Sequence, residues 1–214
     1  MGCFPFYVEL EGARGVIVGG GVVAFRKAEK LLPFGPALSV IAPEMDERFL
    51  RLEKRLGTGV QKGAALTLIQ RRATQEDLAD ADFVIAATDD EQTNEWISDY
   101  CKAHRIPVNV VDDREKCTFF FPALVKDGPL TIGISTDGNS PAAAAHVRKE
   151  IESKLPEGLG NTIELLGQLR PQVRKISADQ AERAGILEKL FAYSLRKNGE
   201  VTYAELLELL YGMK

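Results

Sequence analysis

Residues 15–27 read GVIVGGGVVAFRK. A tight turn needs one glycine or two. Three in a row, between an apolar run and a segment ending Arg26-Lys27, imply that something comes very close to the backbone. Gly19-Gly20-Gly21-Val22-Val23-Ala24 fits the pattern G-x-G-x-x-G/A, directly after a strand pattern and opening a helix pattern. In that setting Gly19 permits the tight turn. Gly21, lacking Cβ, lets a pyrophosphate reach the backbone. Ala24 lets helix and sheet pack closely, and the helix N-terminus supplies N–H groups and a partial positive charge. The chemistry is dinucleotide binding. The acidic ribose ligand of such sites falls about 20 residues on, at the end of the second strand. That end reads IAPE, which makes Glu44 the candidate. A carboxylate there favours NAD over NADP, because it repels a 2′-phosphate; Glu44 also reads as an ordinary solvated loop acid. After the fourth strand pattern, Thr88 and Asp89 face the same crevice at the strands' carboxyl ends, or serve as helix caps.

Resident metal chemistry has little support. His104 and His146 are the two histidines, with no H-x-x-x-H and no Cys/His cluster, so no tight metal site is expected. Cys3, Cys101 and Cys117 are odd in number and lack C-x-x-C spacing. A disulfide framework is therefore not expected, and a reducing compartment fits. The 214 residues carry a formal charge of −4, which speaks against a general nucleic-acid binder. No apolar run approaches the roughly 18 residues needed to span a bilayer, and the first residues lack the basic and apolar regions of a signal peptide. Gly2-Cys3 does not complete a myristoylation pattern, because Phe6 stands where Ser or Thr is needed. The expectation is a cytoplasmic protein that binds neither nucleic acid nor membrane.

The elements that must position these residues are legible. GVIVG (15–19), LSVIAP (38–43), LTLIQR (66–71), DFVIAAT (82–88) and PVNVVD (107–112) are short, β-branched runs suited to strands buried on both faces of a parallel sheet. Helical stretches alternate with them. VVAFRKAEKLLPFG places Val23, Ala24, Ala28, Leu31 and Leu32 on one face, and DEQTNEWISDYCKAHR does so with Trp96, Ile97 and Tyr100. This is the rhythm of an α/β, Rossmann-like doubly wound sheet. Residues 117–136 break it with two β runs around KDGP, read as a hairpin. A helix follows, capped by Ser140 with Pro141 at its first position. The rest reads helical, with capping boxes expected at Ser177–Gln180 and Thr202–Glu205. The expected organisation is a dinucleotide-binding domain over 1–113, a small β-containing dimerisation region over 114–147, and a helical C-terminal region over 148–214.

Four stretches, GGGVVAFRKAEKLL, VIAATDDEQTN, VNVVDDREKCTFFFPALV and LTIGISTDGNSPAAAAHVRKEIE, occur in this order and at these spacings. Together they resemble the precorrin-2 dehydrogenase/sirohydrochlorin ferrochelatase family of siroheme biosynthesis, from about residue 4 to residue 175. The resemblance implies a homodimer, an NAD cofactor and oxidation of precorrin-2 to sirohydrochlorin, followed in some members by insertion of Fe2+, with Co2+ as an alternative transient metal. It places the family's central aspartate on Asp112 and its dinucleotide contacts on Val22, Val23, Pro43 and Glu44 beside the glycines. Thr136 stands at the place of a modifiable serine, and the methyltransferase domain fused to some members is absent from these residues.

The implied reaction removes a hydride and a proton. Asp112, at the end of the fifth strand pattern, is aimed at the crevice, and a free aspartate is ionised at neutral pH, so the residue type suits the proton acceptor; it also reads as a cap or a substrate-orienting group. Asp113 is expected to point elsewhere, since neighbours on a strand alternate faces. The polycarboxylate tetrapyrrole calls for cations and N–H donors, for which Arg114, Lys116, Asn139, Ser140, Arg148 and Lys149 are candidates. A dinucleotide-sensing regulatory module without catalysis would share the glycine loop but would not require the NVVDD…TFFFPA or GNSPAAAAHVRK stretches.

Overall fold

The computed structural model describes residues 2–57 and 64–212. The chain folds as two compact units, residues 6–121 and residues 1–5 with 122–214.

The first unit is a five-stranded parallel sheet: β1 (Arg14–Val18), β2 (Ala37–Ile41), β3 (Ala65–Ile69), β4 (Phe83–Ala86) and β5 (Val108–Val110). Their spatial order is β3-β2-β1-β4-β5. The order reverses between β1 and β4, so the crossovers on the two sides leave a crevice at the carboxyl ends, where open α/β sheets take their ligands. Helices α1 (Val22–Leu31), α2 (Glu47–Gly57) and α3 (Glu91–His104) connect the strands. Alternation along the strands sorts the core into two layers. Ile17, Leu38, Val40, Phe83 and Ile85 pack with Ala24, Ala28 and Leu31 of α1 and Phe49 and Leu52 of α2. Val16, Val18, Val84, Ala86, Val108 and Val110 pack with Ile97 and Cys101 of α3. Both faces are covered, which is why the strands read as continuous apolar runs.

The edge of β5 is closed by the segment that follows. Thr118 Oγ1 accepts from the Val108 N–H at 2.8 Å, and the Thr118 N–H donates to Val108 O at 2.8 Å. Phe119 and Phe121 turn back onto the α1 layer, Phe119 edge-on to Phe83 at 6.4 Å between centroids. Phe120 points outward.

In the second unit β6 (Ala123–Asp127) and β7 (Leu130–Ile134) form an antiparallel hairpin. Helix α4 (Pro141–Lys154) follows, its first turn capped by Ser140, whose Oγ accepts from the Ala143 N–H at 3.1 Å. Helices α5 (Leu159–Ile176), α6 (Gln180–Arg196) and α7 (Tyr203–Gly212) share a core of Leu169, Val173, Leu190, Val201, Leu206 and Leu210. Thr202 and Glu205 form the expected capping box. At α6 the cap is Asp179, which accepts from the Glu182 N–H at 2.7 Å. Ser177, expected to open that box, instead donates its hydroxyl to Glu182 from outside the helix. Among the described residues no helix is long and apolar enough to cross a membrane.

Candidate functional site

Gly19, Gly20 and Gly21 close β1 and open α1, and each is glycine for a different reason. At Gly19 φ is +121°, and a Cβ would stand 2.2 Å from the Ala87 carbonyl oxygen. At Gly20 a Cβ would stand 2.1 Å from the Glu44 carbonyl oxygen. The Gly20 carbonyl accepts from the Asp46 N–H at 2.8 Å, so the glycine loop and the segment after β2 lock together. Gly21 differs: nothing lies within 4 Å of its Cβ position. No side chain caps α1 there. The protein's own packing explains two glycines, and the third borders open space at an uncapped helix N-terminus. This cradle fits a dinucleotide pyrophosphate.

Val22 and Val23 start α1 and are exposed by 43% and 40%. Val23 therefore does not join the buried face on which the periodicity placed it, whereas Ala24 and Ala28 are fully buried. Two solvent-facing valines thus stand beside the open glycine. Pro43 and Glu44 are exposed at the carboxyl end of β2, and the Pro43 carbonyl accepts from Gln70 Nε2 at 3.2 Å. The nearby Arg48 donates from Nε and Nη2 to Asp46, at 2.8 and 2.7 Å, which drives the Asp46 carboxyl well below the usual range.

After β4, Thr88 Oγ1 lies 2.8 Å from Asn94 Oδ1, and Asn94 Nδ2 donates to Thr88 O at 2.8 Å. Thr88 thus braces the loop between β4 and α3. Asn94 is 9% exposed, and sequence reading missed it. Its position, one turn after the expected cap, was the available signal.

Asp112 lies two residues beyond β5, in a turn where its φ is +60°. The strand has ended, so face alternation does not govern Asp113; the turn separates the two carboxylates instead. Asp113 pairs with Lys116 at 3.2 Å, which lowers the carboxyl's pKa and raises the ammonium's. Asp112 lines an open pocket of about 230 Å³ with Asp89, Glu91, Asn94, Val110, Val111, Asp113 and Lys116. Cys117, between the turn and the core, ties the turn's ends. Its Sγ accepts from the Val110 N–H at 3.1 Å and lies 3.1 Å from Asp113 O. Burial pushes this thiol's pKa up, and sequence reading gave it no role. Arg114 is exposed, its guanidinium 5.2 Å from the Phe120 ring.

The other sequence candidates belong to the second unit. Asn139 Nδ2 donates to Thr136 O at 3.1 Å, inside the turn leading to α4. Thr136 Oγ1 donates to Ser140 O at 3.0 Å. Arg148 pairs with Glu152 one turn on, at 2.5 Å. Among the described residues no group of three His, Cys, Asp or Glu side chains is placed to hold a metal.

A family profile described as "Putative NAD(P)-binding" matches residues 6–123, more than half of the chain. The chain belongs to this family. A second profile, "Sirohaem biosynthesis protein central", matches residues 127–154. Siroheme synthase of Pseudomonas entomophila (strain L48) is 36% identical over 191 residues, 89% of this chain and 40% of that protein. The siroheme synthase of Azotobacter vinelandii (strain DJ / ATCC BAA-1303) is 35% identical over 208 residues, 96% of this chain and 43% of its own length. The chain thus spans well under half the length of these curated relatives. A solved structure titled "SirC, precorrin-2 dehydrogenase" superposes with a TM-score of 0.75, covering 98% of this chain and all of that one, at 22% identity. The shared fold is a Rossmann-like parallel sheet, a small antiparallel pair and a helical C-terminal region, as expected from the sequence.

Proposed function

We propose that this chain oxidises precorrin-2 to sirohydrochlorin with NAD+, as a homodimer whose interface includes residues 114–147. The observation that carries the reaction is the placement of Asp112. It stands exposed in a pocket at the carboxyl end of β5, the same end of the parallel sheet at which β1 carries the open glycine loop. The link to siroheme comes from the relatives' names and the second matched segment, and precorrin-2 from the name of the structural neighbour.

Gly21, Val22 and Val23 hold the pyrophosphate side of the cofactor, and Glu44 takes the ribose hydroxyls. Glu44 favours NAD over NADP by charge, and Arg48, already bound by Asp46, is not free to receive a 2′-phosphate. Bound there, the nicotinamide supplies the hydride acceptor. Asp112 takes the proton lost from the tetrapyrrole as its carbon gives up hydride. In the first unit Arg114 is the group offered to a substrate carboxylate by charge; in the second unit, taken by itself, Asn139, Ser140 and Arg148 offer charge and N–H groups of the same kind. Ferrous iron, where inserted, is a passing substrate that enters as pyrrole protons leave.

The test is turnover of precorrin-2 with NAD+, followed by absorbance, with Fe2+ or Co2+ added afterwards to score insertion. Asp112→Asn keeps shape and removes the base. It is expected to bind NAD+ normally and to lose about 10²–10⁴-fold in rate. Near-normal turnover by that variant would rule out the proton-acceptor role. Dinucleotide binding without turnover by the unaltered chain would leave the regulatory-module reading.

A further inference from the structure

Lys27 sits on α1 between two exposed cationic neighbours, Arg26 and Lys30, yet is itself half-buried. Its Nζ lies 3.8 Å from the centroid of the Phe121 ring and 3.4 Å from Asn109 Oδ1. Among the described residues no carboxylate lies within 4.0 Å of it. A lysine on a helix flank normally extends its ammonium to water. Here the ammonium is held inward against a ring and a neutral amide, and desolvation with some repulsion from Lys30 lowers its pKa.

What it touches leads to Asp112. Asn109, on β5, is 6% exposed, and its Nδ2 donates to Phe119 O at 3.0 Å and reaches Cys117 Sγ at 3.5 Å. Cys117 in turn ties Val110 to Asp113, the two ends of the Asp112 turn. A continuous line of contacts therefore runs from the helix that opens the dinucleotide cradle to the turn that carries the carboxylate. The charges around this line come from several elements. Asp112 acts favourably on the Lys27 ammonium, and Lys30 opposes it. Asp89, Glu91 and Asp113 line the Asp112 pocket and repel a second carboxylate. Lys116 is shared between Asp113 and Glu91, Lys102 donates to Glu115 O, and Arg114 is engaged over Phe120.

We propose that Lys27 is a positioning residue for Asp112: through Asn109 it clamps the turn to the cofactor helix, and its positive charge steadies the carboxylate against its acidic neighbours. This rests on the reading of Asp112 as proton acceptor, but its test does not depend on turnover. Amide exchange across the Asp112 turn, residues 110–117, is measured in the unaltered chain, in Lys27→Met and in Lys27→Arg. Exchange is expected to quicken about tenfold in Lys27→Met, and Lys27→Arg is expected to restore at least part of the difference. NAD+ affinity is expected to stay within about twofold, and kcat to fall about tenfold with KM little changed. Unchanged exchange in folded Lys27→Met overturns the proposal, as does a rise in KM alone, which would make Lys27 a ligand for a substrate carboxylate. If Lys27→Met does not fold, Lys27→Gln carries the same measurement. Loss of rate in Asp112→Asn tests the proton-acceptor reading separately.

Discussion

The three consecutive glycines separate folding from binding at single-residue resolution. A Cβ at position 20 meets a backbone carbonyl that cannot move without displacing the segment after β2. Gly20→Ala is expected to cost about 1–3 kcal/mol or more, read as a fall in thermal midpoint. A Cβ at position 21 meets nothing in the protein. Gly21→Ala is expected to melt normally and to lose about tenfold or more in NAD+ affinity by titration calorimetry. Unchanged affinity in Gly21→Ala would mean that the open space is not the pyrophosphate site. Cys101 gives a second prediction. It is fully buried against the β4–β5 face, and its thiol pKa is pushed up to about 11 by burial. The unfolded thiol ionises near pH 8.5. Between roughly pH 9 and 11 the unfolded chain therefore releases a proton that the folded chain keeps, and stability falls as pH rises. Urea unfolding across that window should lose on the order of 2 kcal/mol from this residue, and Cys101→Ala should flatten the decline.

At the scale of elements, helix α5 takes a cap from outside itself. Asp127, the last residue of β6, accepts from the Gly160 N–H at 2.8 Å, and a Cβ at Gly160 would stand 2.4 Å from Asp127 Oδ1. The hairpin thus completes the helix's first turn. Asp127→Ala should cost about 1 kcal/mol and show as faster amide exchange at the start of α5. Nothing in the sequence near Leu159 announces this cap, because its partner lies 33 residues away. That is the general boundary of what sequence reading reached. The five strands, the hairpin, the Ser140 cap and the Thr202 box were legible, because periodicity and capping are local. Asp179 displaced Ser177 because both are good caps two residues apart, and a choice between them depends on where the helix axis begins. Val23 read as core because helical spacing marks an apolar face without showing how much of it the sheet covers. Phe119 and Phe121 fold back onto their own α1 layer while Phe120 stays exposed, an arrangement that no local pattern in the aromatic run announces. Asp112 read as a strand end although it lies two residues beyond β5, since nothing local marks its positive φ.

For the whole molecule, the division near residue 121 gives each unit its own core. Residues 6–121, produced alone, should fold and bind NAD+ within about threefold of the full chain, measured by fluorescence titration. Failure to fold would show that the second unit supplies stability the two α/β layers lack. The sheet order has a kinetic consequence. Central strand β1 pairs on one side with the next strand in the chain and on the other with β4, where Arg14 and Asp82, 68 residues apart, already hydrogen-bond at the strand's entrance. Closing the roughly threefold longer loop costs about 1 kcal/mol more entropy. The β1–β2 pair, with the glycine loop sealed against Glu44, is therefore favoured to form while β4 is still searching. A nascent chain would then complete the proposed phosphate cradle well before it forms the Thr88 loop and the Asp112 turn. A dinucleotide captured at that stage would speed the second half of folding by holding open the edge on which β4 must dock.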